Sequence, residues 1–154
     1  SDLDPGEEEN PEERLDDRIQ GEPAYGLTPY YADLPKFMQY YREKGYRESA
    51  PVMQAEHHED WYVKRNEKGE IETLIKCTSR EVTQSGVAYV EGKLVRSKED
   101  ALPVCKHFFI IPELKLVVDI RYVRFALPDW KRIEDRARIA VHQFMLEQPV
   151  TAGK

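Results

Sequence analysis

The chain has 154 residues, of which 40% are hydrophobic and 34% charged, and it carries a net charge of -6 at pH 7. This length suits one domain with its own core, and the charge distribution argues against a nucleic-acid partner, which needs a clustered basic face. No run of about 18 apolar residues is present, so no segment is predicted to span a bilayer.

The first 23 residues form an acidic segment. Residues 1–22 hold ten Asp and Glu side chains against Arg14 and Arg18, so the remainder carries a charge of about +2. With few apolar residues and interspersed Pro and Gly, such a composition does not offset its own ordering entropy. We expect residues 1–23 to be an acidic arm or linker, either simply solvated or docked on a basic partner surface. A single domain over residues 24–148 and a tail over 149–154 complete the predicted organisation.

A short helix is predicted to begin after Asp33, which can cap it, with Pro35 in its first turn. Apolar residues then recur at helical spacing at Leu34, Phe37, Met38 and Tyr41. The segment just before this helix is aromatic and contains Tyr30 and Tyr31. Its tyrosines are either a recognition surface, where Tyr is enriched, or core packing.

Two β-hairpins follow. The first joins residues 61–65 and 70–78 around a turn that contains Gly69. The second joins 104–111 and 115–125 through residues 112–114. If Ile111 opposes Lys115 in this hairpin, then His107 faces Asp119 and Cys105 faces Arg121.

Residues 81–103, between these hairpins, have little sustained periodicity. Only residues 87–95 suggest a small hairpin, which Glu91 and Gly92 would turn. We interpret residues 81–103 as a mobile excursion from the sheet.

Pro128 and Asp129 are predicted to open a long C-terminal helix. One face is apolar, and the other is polar and includes Glu134. The apolar face comprises Trp130, Ile133, Ala137, Ala140, Val141 and Phe144. The expected fold class is therefore α+β: an antiparallel β-meander of about four main strands, with a short N-terminal helix and a long C-terminal helix packed on the sheet.

Cys77 and Cys105 are the chain's only cysteines, and neither belongs to a Cys-x-x-Cys motif. They are either two buried thiols or one disulfide. Because they lie near the end of one predicted strand and the start of the next, adjacent strands favour the disulfide. Such a bond would pin the excursion to the sheet and would indicate an oxidising compartment.

Candidate catalytic chemistry centres on the histidines. His57 and His58 lie among acidic residues, but adjacent residues of a strand point to opposite faces, unlike zinc ligands one helical turn apart. His107 opposite Asp119 has no neighbouring nucleophile. No nucleophile elbow, phosphate loop or Gly-rich dinucleotide turn is present. We expect no catalytic residue, metal site or cofactor; a small envelope hydrolase is the alternative if His57, His58 and His107 converge.

Four segments of the C-terminal half form a set that resembles a known family. They are residues 75–77, 105–108, 120–122 and 127–134. Together they resemble small periplasmic or lipoprotein immunity proteins of bacterial type VI secretion effectors, including those that guard against phospholipase-type toxins. The resemblance covers residues 51–145 and rests on structural residues. It implies a non-catalytic inhibitor that binds a cognate toxin one-to-one in the periplasm, with a lipid anchor upstream of Ser1.

The predicted binding surface combines the excursion with the aromatic segment, and its carboxylates would meet a basic patch on the partner. Its residues are Tyr30, Tyr31, Tyr89, Glu91, Lys93, Arg96, Glu99 and Asp100. A structural envelope lipoprotein that uses the acidic arm as a spacer is a further alternative.

Overall fold

The computed structural model describes residues 1–83, 87–96 and 102–148, which form a six-stranded sheet, a separate hairpin and two helices. The sheet strands are β1 (Ile19–Gln20), β2 (Thr28–Tyr31), β3 (Glu59–Arg65), β4 (Ile71–Thr78), β7 (Val104–Ile111) and β8 (Leu116–Val123). The separate hairpin is β5 (Val87–Val90) with β6 (Lys93–Arg96), and the helices are α1 (Leu34–Glu43) and α2 (Trp130–Glu147).

The sheet is antiparallel throughout, in the order β1-β2-β3-β4-β7-β8. This agrees with the predicted α+β class, but the prediction of about four strands was too low. The two additional strands are β1 and β2, which are too short to show an alternating pattern of their own. They are held by pairing, with Tyr30 opposite Trp61 and Ile19 opposite Tyr31.

The first helix follows the local chemistry of its ends. The Asp33 side chain accepts a hydrogen bond from the Lys36 amide at 3.2 Å, and Pro35 lies in the first turn. Gly45 follows the last turn with a φ of 93°, a conformation that favours glycine. The helix buries Leu34, Phe37 and Tyr41.

The register of the β7–β8 hairpin differs by one residue from the predicted one. Residues 112–114 form a 3-10 turn, and Lys115 adopts the left-handed conformation with a φ of 53°. Lys115 therefore belongs to the connection, and Ile111 opposes Leu116. A one-residue shift changes every cross-strand pair: His107 lies opposite Ile120 and Cys105 opposite Tyr122, so the predicted pairs with Asp119 and Arg121 were wrong.

A buried polar cluster anchors α2 to the sheet. The Glu134 carboxylate accepts hydrogen bonds from the Thr73 hydroxyl at 2.7 Å and from His107 Nε2 at 2.9 Å. The other ring nitrogen of His107 lies 2.7 Å from the Tyr122 hydroxyl. Because Glu134 is 4% exposed, its predicted place on the polar side of α2 was wrong.

Only the first half of α2 packs closely. Trp130 is buried and donates its indole N–H to the Tyr25 carbonyl at 2.7 Å, whereas Ala140 and Phe144, predicted on the buried face, are exposed. Ile139 and Leu146 are also exposed. No helix in the described residues is long and apolar enough to cross a membrane.

The acidic segment, expected to be an arm or linker, lies against the domain. Leu3 and Leu15 pack on the core cluster around Trp61, and Arg18 is buried with its guanidinium 3.8 Å from the centre of the Trp61 ring. A few specific contacts thus order a segment whose average composition predicted none. The division into arm, domain and tail stays a prediction, and residues 149–154 lie outside the described part.

Glu12 also joins this segment to the domain, through contacts of 2.5 Å with the His58 ring and with the Tyr41 hydroxyl. Burial raises the pKa of Glu12, but the hydrogen bonds from His58 and Tyr41 outweigh it and leave the pKa below its usual value. The acidic segment is therefore held by a carboxylate that stays ionised at neutral pH.

We predict that Glu134→Ala lowers the free energy of unfolding by about 2 to 4 kcal/mol, because it leaves the buried Thr73 and His107 groups without their acceptor. Urea denaturation measures this change. The matched control is Asp135→Ala on the exposed side of the same helix turn, which should cost less than about 0.5 kcal/mol. Equal effects of the two variants would contradict the anchoring role.

Candidate binding surface

A disulfide joins Cys77 and Cys105, which confirms the prediction made from the strand positions. The two residues lie directly opposite each other on β4 and β7 and are both fully buried. The bond closes the loop that carries the β5–β6 hairpin, with a sequence separation of 28. We call residues 78–83 together with 102–104 the loop base.

Asp60 fixes the start of the loop base. Its carboxylate is 1% exposed and accepts the Ala32 amide at 2.8 Å with one oxygen and the Arg80 amide at 2.7 Å with the other. Burial raises the pKa of Asp60, and the two amide hydrogen bonds oppose that shift only in part. One buried side chain thus connects the end of β2, the start of β3 and the loop base.

Arg124, just after β8, holds the loop base from the other side. Its guanidinium donates to the carbonyls of Thr78 at 3.0 Å, Ser79 at 2.7 Å and Val82 at 2.5 Å. Its backbone amide donates to the Pro103 carbonyl at 3.0 Å. Arg124 therefore contacts both ends of the loop. Its charged guanidinium satisfies three backbone carbonyls at the point where the chain leaves the sheet.

The hairpin carried by this base is the one that residues 87–95 predicted. Its turn residues Glu91 and Gly92 have φ values of 51° and 75°, the positive values that a tight two-residue hairpin turn requires. At the tip, Glu91 and Lys93 are exposed, and Val90 is 52% exposed. An exposed turn with an apolar residue and both charges is suited to contact another protein.

Some of the predicted binding residues lie on this hairpin, and the others lie elsewhere in the chain. Tyr89 lies opposite Leu94, and Arg96 opposite Val87, on the two hairpin strands. Glu99 and Asp100 lie outside the described residues. The surface around Glu91 and Lys93 is therefore the part of the prediction that the structure brings together.

Tyr30 and Tyr31, which were predicted to belong to the binding surface, both pack against other side chains of the domain. They are adjacent in β2 and half-buried, so they face opposite sides of the sheet. Tyr30 packs on the Trp61 cluster. Tyr31 meets Tyr62 edge-on at 6.3 Å, and the Arg80 guanidinium lies 3.7 Å from the centre of its ring. Tyr31 thus supports the loop base, while Tyr30 lies on the other face.

The histidines do not converge. His58 is enclosed by Glu12, Phe37 and Tyr41, whereas His107 contacts Tyr122, Glu134 and Trp130. His57 is exposed. In residues 1–83, 87–96 and 102–148, no three His, Cys, Asp or Glu side chains are grouped so as to hold a metal ion.

Sequence reasoning missed Asp60 and Arg124. Both bind backbone groups, and such roles depend on where the chain leaves the sheet, which no short motif records. The one available signal was Asp60 itself, an acidic residue directly before the apolar residues 61–63. A carboxylate at the start of a buried strand indicates a structural acceptor.

The chain is similar to a solved structure of known role. At 30% sequence identity and a TM-score of 0.66, it matches an immunity protein of the Stenotrophomonas maltophilia type IV secretion system. The match covers 86% of this chain and 54% of that protein, so the chain spans about half the length of the protein it resembles. No protein-family model and no curated protein matches the chain.

This similarity agrees with the predicted immunity role in general terms. The finer predictions of a type VI system and a phospholipase-type toxin gain no support from it, because the solved protein belongs to a type IV system.

We predict that Arg124→Met loosens the loop base, because three carbonyls lose a charged donor. The free energy of unfolding should fall by about 2 kcal/mol, and limited proteolysis between Cys77 and Cys105 should become faster. Arg132→Met, which removes an exposed arginine of α2, is the control and should leave both quantities unchanged. Unaltered cleavage in Arg124→Met would show that Arg124 does not hold the loop.

Proposed function

We propose that this protein is an immunity protein, a non-catalytic inhibitor that binds a secreted antibacterial toxin one-to-one and blocks its action. The observation that carries the proposal is the similarity to a solved immunity protein over 86% of the chain. The disulfide supports it, since it joins the two ends of the loop that carries the hairpin, and restricting a contact segment before the partner arrives lowers the entropy cost of binding.

The contact begins at the hairpin tip. Val90 offers an apolar group beside the charged Glu91 and opposite Lys93 on the other strand, and the disulfide joins the two ends of the loop that carries them. Glu91, with Glu99 and Asp100 further along the loop, would meet a basic patch on the toxin. Complementary charge at such a rim speeds association and excludes other partners.

The location that fits this role is the cell envelope. A buried disulfide persists in oxidising compartments such as the bacterial periplasm and is rare in the cytosol. We therefore place the protein in the periplasm, and a lipid anchor upstream of Ser1 would keep it at the membrane. The toxin to test first is one delivered by a type IV system, as for the similar protein; a type VI effector of the phospholipase type is the second.

Affinity purification of the tagged chain from envelope extracts of its source, in the presence and absence of the toxin-producing strain, tests the proposal. Mass spectrometry should find a secreted enzyme at a near one-to-one ratio with the chain. Recovery of a resident envelope component from toxin-free extract would instead support a structural lipoprotein.

We predict that Glu91→Ala combined with Lys93→Ala weakens toxin binding by about tenfold or more, because the substitutions remove both charges from the central turn of the contact. Calorimetry with the captured toxin measures the change. The β3–β4 turn offers a matched control: Glu67→Ala with Lys68→Ala also removes one negative and one positive exposed side chain from a hairpin turn. Equal affinities of the two double variants would exclude the β5–β6 turn from the contact.

A further inference from the structure

The two terminal strands of the sheet differ in length. β1 has two residues, whereas β8 has eight and pairs on one side only, with β7, within the described residues. A long unpaired edge exposes a row of backbone N–H and C=O groups that another strand can use. Proteins usually protect such edges with lysine, proline, a bulge or a covering segment.

β8 lacks those protections in its own sequence. It contains no lysine and no proline, and its pairing with β7 runs without a register shift. Its outer face carries two partly exposed valines, Val117 at 45% and Val123 at 37%. The edge is therefore regular, long enough to pair and apolar at both ends.

The order of side chains on this face is self-complementary. Val117, Asp119, Arg121 and Val123 alternate along β8 and are all exposed. If a second, antiparallel copy is placed with Ile120 opposite Ile120, then Asp119 faces Arg121 of the second copy, and Arg121 faces its Asp119. Val117 and Val123 pair in the same way, so every contact on this face joins complementary groups.

The neighbouring registers are unfavourable. A shift of two residues, which keeps the same side chains on the outer face, places either Arg121 opposite Arg121 or Asp119 opposite Asp119. Like charges directly opposite each other destabilise a strand pair. The charge order of β8 thus selects one register.

We propose that β8 is a homodimer interface, through which two copies of this chain join their sheets about a two-fold axis at Ile120. The inference rests on the charge order of β8 and is independent of the proposed immunity function. Within one chain, Arg121 Nη2 already lies 3.4 Å from the Asp119 carboxylate. Since both side chains are exposed, this contact is weak and is readily exchanged for the contact between copies.

Charge reversal tests the interface without any toxin. Analytical ultracentrifugation should show a dimer for the unaltered chain at concentrations up to about 100 μM, a range in which interfaces of modest area associate. Arg121→Asp places Asp opposite Asp at both symmetric positions, and Asp119→Arg places Arg opposite Arg. Each single variant should dimerise roughly tenfold more weakly or worse.

Three further measurements separate charge pairing from a loss of fold. The double variant Asp119→Arg with Arg121→Asp should dimerise again, and an equimolar mixture of the two single variants should form a heterodimer. Circular dichroism should show that all variants are folded.

A monomeric unaltered chain would overturn the proposal, as would dimers that ignore the charge reversals. If β8 gains protection from hydrogen exchange only in complex with a captured toxin, the edge belongs to the toxin and the homodimer is excluded. The ultracentrifugation results need no toxin and therefore do not depend on whether the immunity proposal holds; only the hydrogen-exchange result does.

Discussion

The covalent bond between Cys77 and Cys105 is the constraint on which the rest of this structure depends. It lies between directly opposite residues of β4 and β7, at the point where the chain leaves the meander and later returns. Closing a loop of this length costs the unlinked chain roughly 3 to 4 kcal/mol of conformational entropy in the chain-entropy model. The bond removes much of that cost from folding, so β7 and β8 can join the sheet although the 25 residues at positions 79–103 separate β7 from β4.

Noncovalent contacts of the loop base, in addition to the disulfide, hold the two ends of the loop. Asp60 binds the amide of Arg80, and Arg124 binds three carbonyls of the outgoing chain and contacts the returning chain at Pro103. Holding both ends of the loop in this way lowers the conformational entropy that the loop can lose on binding. The buried or partly buried polar side chains of Asp60 and Arg124 are accounted for by these contacts with backbone groups.

Much of the fold could be predicted from local patterns. Asp33 and Pro35 indicated where α1 begins, Glu91 and Gly92 indicated the hairpin turn, and the strand positions of the cysteines indicated their bond. The errors arose where the outcome depends on distant contacts. Lys115 took a left-handed conformation that no propensity predicts for lysine, and the register moved by one residue. Glu134 looked like a surface residue because its partners, Thr73 and His107, come from other elements.

The candidate binding surface could likewise be predicted only in part, because some of its residues belong to a local motif and others act through distant contacts. Glu91 and Lys93 could be found because a short turn motif marks them, whereas Asp60 and Arg124 act only through the tertiary arrangement of the loop base. The acidic segment shows the limit of composition: its average charge gives no sign of the contacts by which Leu3, Leu15 and Arg18 pack on the Trp61 cluster and Glu12 binds His58.

The most direct test of this account compares the affinity of the oxidised and the reduced chain for one captured toxin, by calorimetry under conditions in which circular dichroism shows both forms folded. The account predicts that the oxidised chain binds at least tenfold more tightly, with the difference in the entropy of binding, because reduction frees the loop that carries the hairpin. Equal affinities of the two forms would contradict it, since the disulfide would then contribute to stability alone.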